Sequence, residues 1–343
     1  MARLLALPDK FRGTASASAV AMAMAAGARR HGWEVVVQPL SDGGEGLLEV
    51  HAVRGLLPRT SRVCGPLREE VPAEWRTDGS LAVVEMARAS GLTLVGGAAG
   101  NDPVRATSLG TGQLIAEAAR DVGAGGRVVV GLGGSATTDG GFEAAMAVRE
   151  AGGLRGADLV GACDVRIGFV DAARLFAPQK GASPEEVVVL ESRLRELAAR
   201  YLEEFGVDVR VVPGAGAAGG FGGAVVALGG RLRSGYELVA ETVGLAGLLA
   251  EADLVMTGEG ALDAQSFLGK VVGGVVDDAT RVGVPVVVVA GRATEDGLAE
   301  AARRGVRVVT LLDRFGSRAM EHPVACVETV AGEVVTDARP VTG

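Results

Sequence analysis

The residues with the clearest chemical capability are carboxylates and cations gathered in glycine-rich loops. Pro8-Asp9-Lys10-Phe11-Arg12-Gly13-Thr14 follows an apolar segment and leads into a helix. An anion there would meet free N–H groups, the positive end of a helix and two cations. Ser41-Asp42-Gly43-Gly44-Glu45-Gly46 sets two carboxylates three residues apart among glycines, a chain that can bend closely round a ligand or a Mg2+ ion. Gly133, Gly134, Ser135, Thr138 and Asp139 belong to a third loop, residues 131–141. Its composition suits phosphate or carboxylate oxygens held by backbone N–H groups and hydroxyls. A fourth loop runs from Thr257 through Gly258, Glu259 and Asp263 to Lys270, where a helix is expected to begin. A further small-residue loop, 214–220, reads equally well as close packing or as binding. Anion-binding backbone, several carboxylates and a few ammonium groups are the parts that phosphoryl transfer uses.

Lysine is scarce enough to be informative. Of 34 lysines and arginines only Lys10, Lys180 and Lys270 are lysines, and each sits in a Gly-, Pro- or carboxylate-rich stretch. An ammonium is a compact charge suited to phosphate oxygens, whereas a guanidinium is a planar fork. Histidine is scarce too: His31 reads as a cation beyond a helix C-terminus, and His51 and His322 as surface residues. Acid–base chemistry is therefore expected to run through carboxylates, and a zinc site is not expected.

Two nucleotide signatures are weak here. Gly131-x-Gly133-x-x-Ala136 satisfies the dinucleotide fingerprint formally, but Asp139-Gly140-Gly141 would interrupt the helix that should follow, and no flanking βαβ unit is evident. Gly269-Lys270 is followed by Val271, and Ala264 stands where a Walker loop needs its first glycine.

Composition narrows the class. The chain has 343 residues, 48% hydrophobic and 3% aromatic, 53 glycines and a formal charge of −8. Such a length suggests two domains, and an acidic balance without a basic face argues against nucleic acid. No apolar run reaches membrane-spanning length, and the N-terminus does not read as a signal peptide. Cys64, Cys163 and Cys326 fit no metal or redox spacing. A cytoplasmic protein acting on small molecules is expected, and a homodimer is compatible with the sequence.

The chain opens with a strand at 4–7, a helix at 17–30 capped by Thr14 or Ser16, and a strand at 35–37. The same alternation returns near the end, with strands at 253–256, 284–290 and 306–311 and helices at 271–282 and 295–304. That rhythm predicts a doubly wound parallel sheet. The middle is expected to hold strands at 83–86, 128–130 and 209–212 and a charged helix at 184–204. The expected architecture is α/β and discontinuous: residues 1–58 plus 250–343 form one domain, 59–249 an inserted α/β domain, and the active site lies in the cleft between them.

These motifs together resemble the bacterial class I glycerate kinases. The matches run in order through Pro8 to Gly13, Ser41 to Gly46, Thr107 to Gly112, Gly133 to Gly141, Cys163 to Val165, Pro178 to Ala182, Pro213 to Gly220 and Thr257 to Lys270. The resemblance implies a flavodoxin-like domain built from both chain ends and an inserted domain with a restriction-enzyme-like core. It also implies ATP- and Mg2+-dependent phosphorylation of glycerate, usually to 2-phosphoglycerate. On that reading Asp263 or Asp164 orients the acceptor hydroxyl, and Asp42, Glu45 and Glu259 serve the Mg2+ side. Lys180, Lys270 and Arg12 neutralise phosphate or carboxylate, Asp9, Lys10, Arg12, Gly258 and the residues Gly133, Gly134, Ser135, Thr138 and Asp139 bind substrate or phosphate, and the loop Gly133 to Gly141 holds anionic oxygens by its N–H groups. The chain departs from the family pattern in Arg12 for lysine, Ile167-Gly168 for Asn-Pro, Ala261 for a cation, and a shortened stretch between Val148 and Cys163. A non-catalytic paralogue that senses a nucleotide or hydroxy acid is the alternative reading.

Overall fold

The computed structural model describes residues 1–338 apart from Arg12, Glu45 and Arg54. Along the chain, β1 (Arg3–Pro8) and β2 (Glu34–Val37) open one compact unit. A second unit holds β3 (Leu57–Cys64), β4 (Glu70–Thr77), β5 (Leu81–Glu85), β6 (Arg127–Gly131), β7 (Asp158–Ala162) and β8 (Arg231–Arg233). The first unit resumes with β9 (Leu254–Leu262), β10 (Val286–Ala293) and β11 (Arg307–Thr310). The first, end-built unit comprises Met1–Asp42 and the stretch from Tyr236 onward; the second, inner unit is Gly43–Gly235.

This division differs from the expected 58/59 and 249/250 boundaries, and hydrogen bonds explain both shifts. Residues 43–58 go with the inner unit because the Glu85 carboxylate accepts the N–H groups of Gly46 and Leu48, each at 2.9 Å. Residues from 236 go with the end-built unit because the Tyr236 hydroxyl donates to Asp278 at 2.7 Å.

The five strands of the end-built unit are all parallel, in the order β11-β10-β9-β1-β2. Counted within the unit this is 2-1-3-4-5. β1 is apolar almost throughout and buried from Leu4 to Pro8, as a strand covered on both faces must be. The helix Ala17–Arg29 is capped by Ser16, whose hydroxyl accepts the Ala19 N–H at 3.2 Å. Its stripe of Val20, Met24 and Ala28 packs with Val327, Val330 and Val334 of the helix Pro323–Asp337.

The inner sheet runs β3-β4-β5-β6-β7-β8. The first two pairings are antiparallel and the rest parallel. Val83, Val84, Val128, Val130, Leu159 and Val160 are buried along its centre. On one side an aromatic cluster forms around Tyr201, which comes from the charged helix Pro184–Phe205. Its ring stands edge-on to Phe142 at 5.1 Å and to Phe169 at 5.8 Å, geometries worth about 0.5–1.5 kcal/mol each beyond burial.

Three local expectations are corrected. Residues 209–212 do not form a strand: Val209–Val211 is a 3-10 turn whose start is capped by Asp208, which accepts the Arg210 N–H. A local side-chain acceptor of this kind competes with strand pairing. His51 is buried rather than exposed, with its Nδ1 at 2.8 Å from the Leu47 carbonyl. A βαβ unit does flank residues 131–141, since β6 and β7 are parallel neighbours joined through the helix Phe142–Glu150. The helix starts only at Phe142, after Gly140 and Gly141 at positive φ, so Gly131-x-Gly133-x-x-Ala136 does not run straight into a helix as a dinucleotide fingerprint does.

Candidate active site

In the end-built unit, the order β2-β1-β9 makes the gap between β1 and β9 the topological switch point, where such sheets take their ligands beyond the carboxyl ends of the strands. β1 pairs with β9 up to Pro8 opposite Gly258, while β9 continues beside β10 to Leu262. Asp9 and Glu259 are therefore the first residues past the shared ladder. The Asp9 N–H donates to the Gly258 carbonyl at 2.9 Å, and the Asp9 carboxylate accepts the Lys10 N–H at 2.7 Å. Glycine at 258 is required by packing, because a Cβ would stand 2.1 Å from the Val289 carbonyl oxygen.

The charges around this gap act on one another. Burial first, then the neighbouring Asp42 carboxylate, push Asp9 up to about 7, with Lys10 opposing and Glu259 adding. Burial likewise raises Glu259 to about 6, against a hydrogen bond from Ser266 and the charge of Lys270. Glu259 Oε1 is buried and has no hydrogen-bond partner. Asp263 caps the short turn Ala264–Phe267: its Oδ1 accepts the Ser266 N–H and its own N–H donates to Ser266 Oγ, both at 3.0 Å. Lys270 is the N-cap residue of the helix Val271–Arg281. Of the expected site residues, Arg12 and Glu45 lie outside the described residues. Among those described, no three His, Cys, Asp or Glu side chains group closely enough to hold a metal ion by themselves.

In the inner unit, residues 131–141 leave the carboxyl end of β6. Among the described residues the backbone N–H groups of Gly133, Gly134, Ser135, Thr137, Thr138 and Asp139 have no acceptor. The hydroxyls of Thr137 and Thr138 are buried without a partner. Orphaned donors at this density are rare in folded chains unless a water molecule or ligand oxygen meets them. Asp139, expected to bind an anion, instead faces inward. Its carboxylate accepts the Ser108 N–H and hydroxyl, both at 2.7 Å, and the Gly141 N–H at 3.2 Å. Burial raises its pKa despite these bonds. Lys180 is also inside, 4% exposed, with its Nζ donating to Ser135 Oγ at 2.9 Å and to the Thr137 carbonyl at 2.6 Å. Burial lowers it to about 7. Asp164 lies just past β7 and accepts the Gly235 N–H at 2.9 Å. The loop 214–220 is chiefly a packing element, since a Cβ at Gly219 would meet the Thr137 carbonyl at 2.0 Å.

Three supporting residues escape a reading of motifs. Glu85 is 3% exposed and fixes Gly46 and Leu48; a carboxylate ending an apolar strand was the signal available for it. Asn101 donates from Nδ2 to the carbonyls of Ala136 and Lys180 at 3.0 and 2.9 Å. The Tyr201 hydroxyl donates to the Gly140 carbonyl at 2.8 Å. Neither of the last two carries a sequence signal.

Carboxylates crowded at a switch point, and a glycine loop rich in open N–H groups, are the equipment of an α/β enzyme that handles anionic small molecules. The model of the glycerate kinase family matches residues 4–151 and 148–338. An uncharacterized protein of Mycobacterium bovis (strain ATCC BAA-935 / AF2122/97) is 43% identical over 309 residues, covering 86% of this chain and 80% of the relative. The glycerate 2-kinase of Escherichia coli (strain K12) is 39% identical over 332 residues, 86% of each. A crystal structure of a candidate glycerate kinase 2 from Salmonella typhimurium LT2 superposes with a TM-score of 0.82 at 33% identity, covering 98% of both chains. The chain belongs to the glycerate kinase family, and it is a kinase.

Proposed function

We propose that this kinase transfers the terminal phosphoryl group of ATP to a hydroxyl of glycerate, giving 2-phosphoglycerate, with Mg2+ as cofactor. The observation that carries the reading is the acidic cluster at the β1/β9 switch point, where Glu259 Oε1 is buried without a partner beside Asp9 and Asp42. Like-charged groups held so closely favour a cation among them. Mg2+ commonly takes only one or two protein carboxylates and fills its other positions with water and phosphate oxygens, which accords with a cluster that, among the described residues, is too sparse to close a metal site alone. Asp42 and Glu259, with Glu45, would hold the ion, and it would neutralise charge on the transferring phosphate.

The chain's own groups supply the rest. Lys270, whose charge reaches Glu259, offsets developing phosphate charge. Asp263 has one oxygen fixed by its capping bonds, so its carboxylate is held in place to orient the acceptor hydroxyl; Asp164 is the other candidate. Lys10, Arg12 and the open N–H groups of 133–139 bind anionic oxygens. The 2-1-3-4-5 parallel order supports a flavodoxin-like description of the end-built unit, and a restriction-enzyme-like core for the inner unit belongs to the same proposal. So do a cytoplasmic location and assembly as a homodimer. No helix among the described residues is long and apolar enough to cross a membrane.

A coupled assay of ADP release with D-glycerate and Mg-ATP tests the function, with the product's phosphate position assigned by phosphorus NMR. Glycerate-dependent ADP with phosphate on the second carbon is expected. No ADP above the glycerate-free background would overturn the proposal.

A further inference from the structure

We propose that Lys180 is a positioning residue, which turns the Thr137–Thr138 peptide so that the Thr138 N–H faces the anion, as Asn101 turns the Ala136–Thr137 peptide. This rests on the reading of 133–139 as the anion-binding loop. Scarcity and motif both suggest a lysine that touches phosphate, but the geometry assigns it differently. Its side chain is 4% exposed, and its two hydrogen bonds go to the loop itself, to Ser135 Oγ and to the Thr137 carbonyl.

The consequence follows from peptide geometry. In a trans peptide the C=O of one residue and the N–H of the next point in opposite directions. Holding the Thr137 carbonyl at the buried ammonium therefore turns the Thr138 N–H the other way. Asn101 does the same one peptide earlier: it takes the Ala136 carbonyl, which turns away the Thr137 N–H. The same Asn101 Nδ2 also binds the Lys180 carbonyl, so the two carbonyl-holding groups are tied to each other. The result matches the pattern observed: Ala136 and Thr137 have satisfied carbonyls, while the N–H groups of Thr137 and Thr138 have no acceptor among the described residues. A preorganised donor costs nothing to orient at the moment charge develops. The positive charge beneath the loop adds to the attraction for an anion.

The test compares Lys180→Met, Lys180→Gln and Asn101→Ala with the parent enzyme, by steady-state kinetics and by amide hydrogen exchange of the ligand-free protein. Lys180→Met is expected to lower kcat by about 100-fold, the scale of one lost oxyanion donor. It is also expected to speed exchange within 135–139, read at the Ala136 N–H that donates to the Ser90 carbonyl, without speeding it in β1 or β9. Lys180→Gln keeps a donor for the Thr137 carbonyl and should recover much of the loss. Asn101→Ala should lower kcat in the same direction, and the double variant should lose much less than the product of the two single effects. If Lys180→Met leaves exchange at 135–139 unchanged and raises the KM for ATP or glycerate instead, the lysine contacts ligand and the proposal fails. Full additivity with Asn101→Ala would overturn it as well. Should Lys180→Met not fold, the Lys180→Gln and Asn101→Ala pair decides by the same two readouts. Should the parent show no glycerate-dependent turnover, the proposed function fails separately, and hydrogen exchange still decides the positioning role.

Discussion

Asp9 and Glu259 hold protons that ordinary carboxylates have lost by neutral pH, because both are drawn out of water beside other carboxylates. In an unfolded chain they titrate at about 3.9 and 4.3, whereas in the folded protein they do so at about 7 and about 6. Between those limits the folded state binds more protons than the unfolded state. Their contribution to stability is therefore full below about pH 4 and is lost as the pH rises through 6 and 7. Lys180 has the opposite sign and a different window: lowered to about 7, it makes stability recover only as the pH rises above 7. Urea unfolding of the metal-free protein is expected to show stability falling from about pH 5 to about pH 7, with a flatter fall in Asp9→Asn. A wild-type slope retained in Asp9→Asn would contradict the assignment. The proposed Mg2+ site needs the ionised carboxylates, so on that proposal the rise in Tm on adding the ion should be larger at about pH 8 than at about pH 5.5. A second prediction separates the cation proposed to face phosphate from ordinary surface charge. Lys270→Met should lower kcat by about 100-fold or more, whereas Arg195→Met should leave it within about twofold. Arg195 is exposed and, among the described residues, paired only with Glu191 along its own helix. Equal effects in the coupled assay would remove the case for Lys270.

Glu85 shows how an element rather than a residue sets the start of the helix Leu47–Val53. It ends β5 and takes the first N–H groups of the helix Leu47–Val53 and the turn before it, which a helix start leaves unpaired. Glu85→Ala strands both donors and should cost about 1–3 kcal/mol in urea unfolding. Glu70→Ala, which removes only an exposed pair with Arg62, should cost about 0.5 kcal/mol or less; similar losses in the two would refute the role given to Glu85. The same contrast explains what could be read from sequence. Parallel strands such as β6 and β10 announce themselves as short valine-rich runs, and the loops after them as glycine among carboxylates. β3 and β4 do not, because their pairing joins residues through a turn and β4 carries Pro72 in the middle of its alternation. The acidic residues at the switch point were legible because each lies within a few residues of a strand end. The support beneath 133–139 was not, because Lys180 and Asn101 meet that loop from 43 and 35 residues away in sequence. The residue type of Lys180 suggests a ligand contact, whereas its burial and its bonds to Ser135 Oγ and the Thr137 carbonyl put it beneath the loop.

Domain insertion has a geometric requirement that this molecule meets at two glycines. The inner unit begins at Gly43 and ends at Gly235, and a side-chain carbon on Gly43 would stand 2.5 Å from the Gly235 Cα. The two ends of the insert are thus adjacent, as in domains that fold on their own and are carried within other chains. Its residues are contiguous, with cores built around Trp75, Leu114 and Phe221 on one side and Tyr201, Phe142 and Phe169 on the other. The chain has two tryptophans, and they fall one to a unit, Trp33 packing in the end-built core and Trp75 in the inner one. Residues 43–235 expressed alone therefore carry a single tryptophan reporter. Their emission is expected to be that of a buried indole and to shift to the red in one cooperative urea transition that coincides with loss of far-ultraviolet circular dichroism. The fragment should be inactive in the ADP-release assay, because Asp9, Asp42, Glu259 and Lys270 all belong to the other unit. Emission already at the solvent-exposed wavelength, or a broad and non-coincident transition, would show that the inner unit depends on the chain ends to fold. Glycerate-dependent turnover by the fragment would move the phosphate-transfer chemistry away from the β1/β9 switch point altogether.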